Sequence, residues 1–135
     1  MSEYRQAQEL KPAESYPASR ISEIEHILAA LAANEQEYQR VIASGDSLFR
    51  QKDFQPAIAE YQKALKVKPG EAYPQQKIQE INKILADIKA TEEGYKNAIT
   101  EADKLFVSKQ YEDALTSYRK AMEIKPGETY PQTRI

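Results

Sequence analysis

Cysteine and tryptophan are absent from this chain of 135 residues, and histidine occurs once, as His26. Without cysteine the chain has no disulfides and no thiol chemistry. The compartment stays open, because cytosolic and exported proteins can both lack cysteine. One histidine and no cysteine nearly exclude a zinc site. No serine or threonine has a histidine placed in the pattern of a catalytic triad. These absences speak against an enzyme.

Excess charge and long apolar runs are missing as well. The 19 Lys and Arg residues nearly balance the 21 Asp and Glu residues, so the sequence gives no case for a nucleic-acid or polybasic membrane surface. No run approaches the ~18 apolar residues of a membrane span, and the N-terminus lacks the pattern of a signal peptide. The four glycines form no phosphate-binding motif. We expect a soluble segment without cofactor, metal or small-molecule substrate, in an unassigned compartment.

What the chain does contain is an internal repeat with a period of 57 residues. Three versions of one segment mark it: KPAESYPASRI at 11–21, KPGEAYPQQKI at 68–78 and KPGETYPQTRI at 125–135. The same offset superimposes residues 37–69 on 94–126. Every Tyr and Phe falls on a position of this register, as the equivalence of Tyr4, Tyr61 and Tyr118 illustrates. No aromatic residue is therefore left over for a unique site.

The chain also begins and ends inside a repeat. It starts midway along one predicted helix and stops shortly after the start of another, at 130–135. Repeat proteins normally end in atypical capping units, and this sequence has none. We interpret the chain as an excised or engineered segment of a longer array. The predicted helices at its two ends carry apolar residues without neighbours. We expect other proteins, or further copies of the chain, to contact these residues. These residues are Tyr4, Ala7, Leu10 and Ile135.

Apolar residues at helical spacing predict a short amphipathic helix in each unit. In the first unit they recur at i, i+3, i+4 and i+7 from Phe54 to Leu65. Asp53 can serve as the N-cap, and Pro56 then lies in the first turn, where its missing N–H costs little. The Lys-Pro-Gly sequence at 68–70 ends the helix. The pattern predicts short helices of about 15 residues at 54–68 and 111–125.

A longer helix precedes each short one. Pro74, after Tyr73, signals a helix start at the first helical position. A seam then follows at alternating steps of three and four residues: Ile78, Ile81, Leu85, Ile88, Glu92, Tyr95, Ile99, Ala102 and Phe106. The first unit has the same steps from Ile21 to Phe49. The alternation of steps keeps the same phase on both sides of the one acidic residue in the seam. This favours a continuous helix of about 36 residues, roughly 50 Å long.

The alternative is a break in the middle of each long helix, near 34–37 and 91–94. A capping-box pattern at the first site and a glycine at the second favour such a break. The glutamates that interrupt the seam, Glu35 and Glu92, leave two interpretations open. They either mark the point where the seam passes from one bundle to the next, or they contact a partner.

The second half of each long helix together with the short helix resembles a tetratricopeptide repeat. That family has small residues where two helices approach closely, an aromatic residue in the second helix and a closing proline. In the first unit the matching residues are Val41, Gly45, Leu48, Phe54, Ala57, Tyr61, Ala64 and Pro69. In the second unit they are Ala98, Ala102, Leu105, Tyr111, Ala114, Tyr118, Ala121 and Pro126. The signature of the longer repeat is completed by Phe49, Tyr73, Pro74 and Phe106.

The unit departs from the family in length, since the standard repeat has ~34 residues. The additional YPxxKIxEIxxIL segment resembles extended repeats of large proteins from Bacteroidetes-type bacteria. Because a short helix covers only half of a long one, we expect all-α architecture with spectrin-like long helices shared between three-helix bundles.

The predicted segments are a partial short helix at 1–11, a first unit at 12–68 with its long helix at 17–51, a second unit at 69–125 with its long helix at 74–109, and the frayed start of the next long helix at 126–135.

The resemblance implies two functions, an elongated structural spacer or scaffold and, alternatively, a protein–peptide interaction module. Family members that grip C-terminal carboxylates use Lys and Asn on the first helix. The corresponding positions are Ile42 with Asp46 in the first unit and Ile99 with Asp103 in the second. An aspartate would repel a carboxylate, so the two aspartates are better candidates for a structural polar contact with a neighbouring helix end. His26 lies off the seam and is expected to face solvent.

Overall fold

The computed structural model describes all 135 residues, and its regular structure is entirely helical. Long and short helices alternate after a short first one. The helices are α1 (Ser2–Leu10), α2 (Ser15–Arg50), α3 (Phe54–Val67), α4 (Ala72–Val107), α5 (Tyr111–Ile124) and α6 (Thr129–Arg134). The predicted all-α class with one long and one short helix per unit is confirmed. No helix is both long enough and apolar enough to cross a membrane.

Both long helices are continuous, each with 36 residues. The alternative of a break in mid-helix is wrong. Around the first predicted break, side chains one turn apart bond to each other: Gln39 donates to Glu35 at 2.8 Å, and Arg40 donates to Glu37. Such i,i+3 and i,i+4 pairs support helical backbone. At the second, the ~1 kcal/mol cost of Gly94 does not interrupt the helix.

The helices begin slightly earlier than the prolines predict. Pro17, Pro74 and Pro131 are the third residues of their helices rather than the first. The position costs no hydrogen bond, because the first four N–H groups of a helix have no intrahelical acceptor. Asp53 does occupy the N-cap of α3, and its carbonyl accepts from the Ala57 N–H at 3.0 Å, but its side chain makes no capping hydrogen bond.

The turn from a long helix to a short one has a left-handed residue that is not glycine. Lys52 has a φ of 62° and Lys109 a φ of 64°. In the first turn the N–H of Lys52 reaches the Phe49 carbonyl at 3.0 Å, and the N–H of Asp53 reaches the Leu48 carbonyl at 2.9 Å. The second turn makes the equivalent pair of bonds. These bonds satisfy carbonyls at the end of the long helix and hold the lysine in a conformation that normally favours glycine.

The chain divides into two compact units, Met1–Gln79 and Glu80–Ile135. Unit 1 contains α1, α2, α3 and the first residues of α4. Unit 2 contains the rest of α4 with α5 and α6. The boundary between the two units lies inside α4.

The core of each unit combines aromatic rings with very small side chains. In unit 1 the buried residues Tyr38, Val41 and Ala64 form one cluster, against which Ile42 and Val67 pack. In unit 2 a cluster at other positions of the repeat joins Ala102, Ala114 and Tyr118, with Ile99 and Leu105 packed against it. In unit 2, alanine on both facing helices lets the backbones approach, and Tyr118 fills the remaining space. The cores therefore depend on shape more than on large apolar volume.

Candidate functional site

Asp46 joins three successive helices in unit 1. Its Oδ1 atom accepts a hydrogen bond from the Tyr61 hydroxyl at 2.6 Å and another from the Tyr73 hydroxyl at 2.8 Å. Asp46 lies on α2, Tyr61 on α3 and Tyr73 on the first turn of α4. The two rings meet edge to face with centroids 6.4 Å apart. The structural contact predicted for Asp46 is confirmed, and we call this arrangement the aspartate junction.

Unit 2 has the same junction. The Asp103 Oδ1 atom accepts from the hydroxyls of Tyr118 and Tyr130, the latter at 2.8 Å, and the two rings lie 6.4 Å apart. Burial, followed by the hydrogen bond to Asp103, raises the pKa of Tyr118 well above its usual value. The tyrosine hydroxyl therefore stays protonated and able to donate throughout the physiological pH range. The structural contact predicted for Asp103 is confirmed as well.

Gly45 is required because the Tyr61 ring lies directly against the α2 backbone. A Cβ atom added to Gly45 would sit 2.8 Å from Cε1 of Tyr61, closer than real Cβ contacts. Tyr61 is fully buried and cannot give way easily. At the equivalent position of unit 2, Ala102 does carry a Cβ and is also fully buried. The small residue of the repeat signature therefore sets how closely the tyrosine approaches the long helix.

The signature residues fall into two groups by burial. The buried group joins the helices and consists of Gly45, Ala57, Tyr61, Ala64, Pro74, Ala102, Ala114, Tyr118 and Ala121. The partly or largely exposed group lies at helix ends and turns and consists of Phe49, Phe54, Pro69, Tyr73, Phe106, Tyr111 and Pro126. Of these, Phe49 packs edge to face on Phe54 and Phe106 on Tyr111, with centroids 6.0 and 5.7 Å apart.

A cation from the following helix covers these turn aromatics, and the sequence interpretation missed it. The Lys77 Nζ atom lies 4.3 Å from the centroid of Phe49, and the Arg134 guanidinium lies 5.2 Å from that of Phe106. Both also approach the tyrosine of their own Tyr-Pro pair. Contacts at these distances stabilise by cation–π attraction. The available signal was a basic residue three positions after Pro in all three copies of the YPxx[K/R]I motif.

The glutamates that interrupt the seam pair with the lysine that ends each short helix. Lys68 lies 2.9 Å from Glu35 and 3.0 Å from Glu71, and its Nζ atom lies 4.8 Å from the Tyr38 ring centroid. Hydrogen bonds to Glu35 and then Glu71 raise the pKa of Lys68 to about 12. Hydrogen bonds from Gln39 and Lys68 lower the pKa of Glu35. We call this group the lysine cluster.

Unit 2 repeats the lysine cluster. Lys125 lies 2.9 Å from both Glu92 and Glu128, and its Nζ atom lies 5.1 Å from the Tyr95 ring centroid. Hydrogen bonds to the two glutamates raise the pKa of Lys125. Neither sequence interpretation of Glu35 and Glu92 foresaw this pairing. The pairing engages both glutamates within their own unit, at the level where the short helix ends.

His26, the one histidine, is exposed on α2, as expected. Its shallow surroundings come from the same helix: Ser22, Glu25 and Ala29. No group of three or more His, Cys, Asp or Glu side chains is arranged to hold a metal ion. No buried side-chain nitrogen or oxygen lacks a hydrogen-bond partner. The polar groups inside the two units are thus used to join helices.

A groove of about 450 Å³ runs between α4 and α5 in unit 2. Its floor contains the buried Ala98 and the half-buried Ile124, and its lining includes Glu101 and Lys120, neither of which forms an ion pair. The remaining lining residues are Gly94, Asn97 and Ser117. In unit 1 the equivalent positions of these three carry Glu37, Arg40 and Glu60, all in ion pairs. The sequence interpretation did not predict this difference between the units.

Comparison with known families gives one match. Residues 41–71 match the family model described as Tetratricopeptide repeat. The match spans the last ten residues of α2, all of α3, Asp46 and Tyr61 of the aspartate junction, and Lys68 of the lysine cluster. No curated protein and no solved structure matches the chain significantly. The all-helical fold and this match together support a tetratricopeptide-like repeat over these residues, and such a repeat suggests a helical module for protein interaction or scaffolding.

Proposed function

We propose that the chain is a non-catalytic structural spacer built from 57-residue repeat units, which sets the separation of other parts of an assembly. The observation that carries the proposal is the aspartate junction. One carboxylate ties a long helix, the following short helix and the start of the next helix, through Tyr61 and Tyr73 in unit 1. Unit 2 uses Tyr118 and Tyr130 for the same purpose. The same contact in both units holds the three helices that meet at each aspartate.

The helices themselves favour a stiff spacer. A continuous helix of 36 residues extends roughly 54 Å at 1.5 Å per residue. The division between the two compact units falls within α4. Each lysine cluster adds an ion-paired contact where a short helix ends. A spacer needs these two properties, long rigid elements and fixed junctions.

The carboxylates best placed for acid–base chemistry are already engaged. Asp46 and Asp103 each accept two tyrosine hydroxyls, and Glu35 accepts from Gln39 and Lys68. Members of the tetratricopeptide family are generally non-catalytic, which agrees with a structural role for these groups. The spacer proposal therefore assigns the polar side chains without requiring a substrate.

The stiffness of the chain can be measured directly, because it has no native cysteine to interfere with labelling. Spin labels at Ser22→Cys and Ser108→Cys, both on exposed positions, report the distance between two points of the chain. We expect one narrow distance distribution and a radius of gyration clearly above the about 14 Å of a compact globule of this length. A broad distribution, or a radius of gyration near the compact value, would overturn the spacer proposal.

The groove in unit 2 favours a second candidate function, binding of a short peptide. Ala98 and Ile124 offer an apolar floor for one side chain. Lys120 has lost the intrahelical carboxylate that its equivalent Lys63 has in Glu60, because Ser117 takes the place of that glutamate. A peptide with an apolar residue next to a carboxylate fits this combination. The groove differs from the carboxylate-gripping positions of the family, which lie at Ile99 and Asp103.

Closing the groove tests the peptide candidate. Gly94→Glu, Asn97→Arg and Ser117→Glu together install the ion-paired surface of unit 1. From a library of random displayed peptides, the unmodified chain should enrich sequences with an apolar residue beside an acidic one, and the closed variant should not. The reverse exchange in unit 1, Glu37→Gly, Arg40→Asn and Glu60→Ser, should raise the number of sites per chain. Equal enrichment on open and closed forms, or none on either, would remove peptide binding at this groove.

A further inference from the structure

The groove between α4 and α5 carries two opposite charges that have no partner. Glu101 on α4 and Lys120 on α5 both line the groove, and both are exposed and form no ion pair. In unit 1 the equivalent of Glu101 is the neutral Ser44, and the equivalent of Lys120 is Lys63, which pairs with Glu60. Unpaired charges of both signs therefore occur at these positions only in unit 2.

The groove lies between helices that have the same lengths as their equivalents in unit 1. Helices α4 and α2 both have 36 residues, and α5 and α3 both have 14. Lys63, the residue of α3 equivalent to Lys120, is exposed as well, although a complete long helix follows α3. The face of the short helix that carries this lysine is therefore open in both units.

One end of the groove is an apolar recess. Gly94 has no side chain, and a Cβ atom added there would meet only the Ile124 Cδ1 atom, at 3.7 Å. Ala98, one turn further along α4, is buried and adds a single methyl group to the floor. An apolar side chain of a ligand can enter between these small residues and remove the half-buried Ile124 from water.

The two charges lie beyond this recess, on opposite walls of the groove. The short turn between α4 and α5 makes the helices antiparallel, and Gly94 lies level with Ile124. From that level, Glu101 lies about 10 Å along α4 and Lys120 about 6 Å back along α5, at 1.5 Å per residue. Helical side chains lean toward the N-terminus of their own helix, which carries the carboxylate toward the recess and the ammonium away from it. The two charges therefore face each other at nearly the same level.

An α-helix presents side chains in this arrangement. Residues three and four positions from residue i project to either side of it, one turn away. An apolar residue at i can thus fill the recess while two charged residues reach the two walls. In an extended segment, neighbouring side chains point to opposite faces and do not reach both walls at one level. The walls are helices with internally bonded backbones, so they offer an extended backbone no ladder of hydrogen bonds, whereas a helix satisfies its own.

We propose that the groove of unit 2 binds an amphipathic helix of a partner protein, which carries an apolar residue and, one turn away, an acidic and a basic residue on adjacent positions. The acidic residue pairs with Lys120, the basic residue pairs with Glu101, and the apolar residue lies on Ala98 and Ile124. Whichever way the helix runs, the position three residues from the apolar one faces the same wall, so each charge has a fixed place. The inference rests on the second candidate function, peptide binding at this groove, and adds the ligand's conformation and second charge.

A display library of helical peptides tests the proposal. Its members are alanine-based helices of about 20 residues, long enough to be helical in isolation, with two central turns randomised. The unmodified chain should enrich an apolar residue with an acidic and a basic residue three and four positions away. Glu101→Lys combined with Lys120→Glu should enrich the same apolar residue with the two charges exchanged. Arg119→Glu combined with Glu123→Lys makes a matched exchange on α5 outside the groove and should leave the enriched sequences unchanged.

Fluorescence anisotropy of the most enriched peptide measures its dissociation constant. A proline in the middle of the peptide, on the side away from the groove, should weaken binding by about tenfold or more, because it breaks the helix. Glu101→Gln should weaken binding several-fold, since the basic residue of the peptide loses its partner. Circular dichroism should show unchanged helix content in the variants of the chain, because the altered residues are exposed.

Three results would overturn the proposal: enriched sequences without the charge pair, charge positions that the double variant does not exchange, and a proline-containing peptide that binds equally well. If the helical library yields no binder while unstructured peptides bind the open groove and not the closed variant, the second candidate function stands and the helical ligand is wrong. If neither library yields a binder, both are wrong.

Discussion

The two units make the same junction with different neighbours. In unit 1 the Tyr61 ring packs against Gly45, with no room for a Cβ, whereas in unit 2 Tyr118 faces Ala102, which has one. The hydrogen bonds to the aspartate persist in both units. The comparison teaches that the polar contact is kept although the residue at the close approach differs.

The surfaces of the units differ more than their cores. Beside the short helix, unit 1 is covered by the Glu37–Arg40 and Glu60–Lys63 ion pairs, and unit 2 is open at Gly94. Exposed ion pairs contribute at most about 1 kcal/mol, so a surface can lose them without losing the fold. Buried positions have less freedom, because their side chains pack between helices. Surface divergence is thus where the units can acquire different partners.

The largest effect should follow from removing the junction tyrosine. Tyr61→Ala and Tyr118→Ala should each lower the free energy of unfolding of their unit by about 3–5 kcal/mol, since a fully buried ring is lost. Urea unfolding followed by circular dichroism measures the change. Tyr61→Phe and Tyr118→Phe keep the ring and should cost only about 0.5–1.5 kcal/mol for the hydrogen bond. An alanine variant as stable as the phenylalanine variant would show that the ring does not hold the junction.

Substitution of glycine by alanine should change the free energy of unfolding in opposite directions at two positions. Gly45→Ala should destabilise by about 1–3 kcal/mol, because its Cβ meets the buried Tyr61 ring at 2.8 Å. Gly94→Ala should stabilise by about 0.5–1 kcal/mol, because its Cβ meets only Ile124 Cδ1, at an ordinary 3.7 Å, and alanine favours helix. Thermal unfolding of both variants checks the pair. Equal shifts in the same direction would contradict the asymmetry between the close approach and the open groove.

The left-handed turns should respond alike in both units. Lys52→Gly and Lys109→Gly should each stabilise by roughly 1 kcal/mol, because glycine adopts a positive φ without the Cβ strain of an L-residue. Lys66→Gly, inside α3, has the opposite expected sign and serves as the control. The midpoints of urea unfolding measure the change in stability of each variant. A loss of stability in either turn variant would mean that the lysine side chain itself holds the turn.

The smallest effect should be the pH dependence of the lysine cluster. The lowered pKa of Glu35 stabilises the fold at pH values above the unfolded pKa of about 4.3. This stabilisation is lost as the pH falls through the lowered pKa of the folded state. The raised pKa of Lys68, about 12, stabilises the fold at pH values below the unfolded pKa of about 10.4. This stabilisation is lost as the pH rises through 12. Lys68→Met should flatten both limbs of a stability–pH profile. An unchanged profile would show that the cluster does not contribute to stability.

Much of the fold followed from local patterns. The steps of three and four residues predicted two long helices, and the Lys-Pro-Gly sequences predicted where the short ones end. The placement of Asp46 beside Gly45 indicated a polar contact at the close approach. Its partners could not be named, because Tyr61 and Tyr73 lie 15 and 27 residues away in sequence and meet only when the helices pack. The prolines were assigned to the wrong helical position for a similar reason, since any site in the first turn tolerates a missing N–H.

The sequence by itself determined the helix lengths, the repeating register and the small residues at the close approaches, because each depends on spacing along one helix. Tertiary structure alone decided which side chains meet: tyrosine hydroxyls on aspartates, lysines on seam glutamates, and cations over turn aromatics. It also decided that equivalent surfaces are closed in one unit and open in the other. These outcomes depend on the distances between helices, and helix spacing is set by packing in three dimensions rather than by the order of residues.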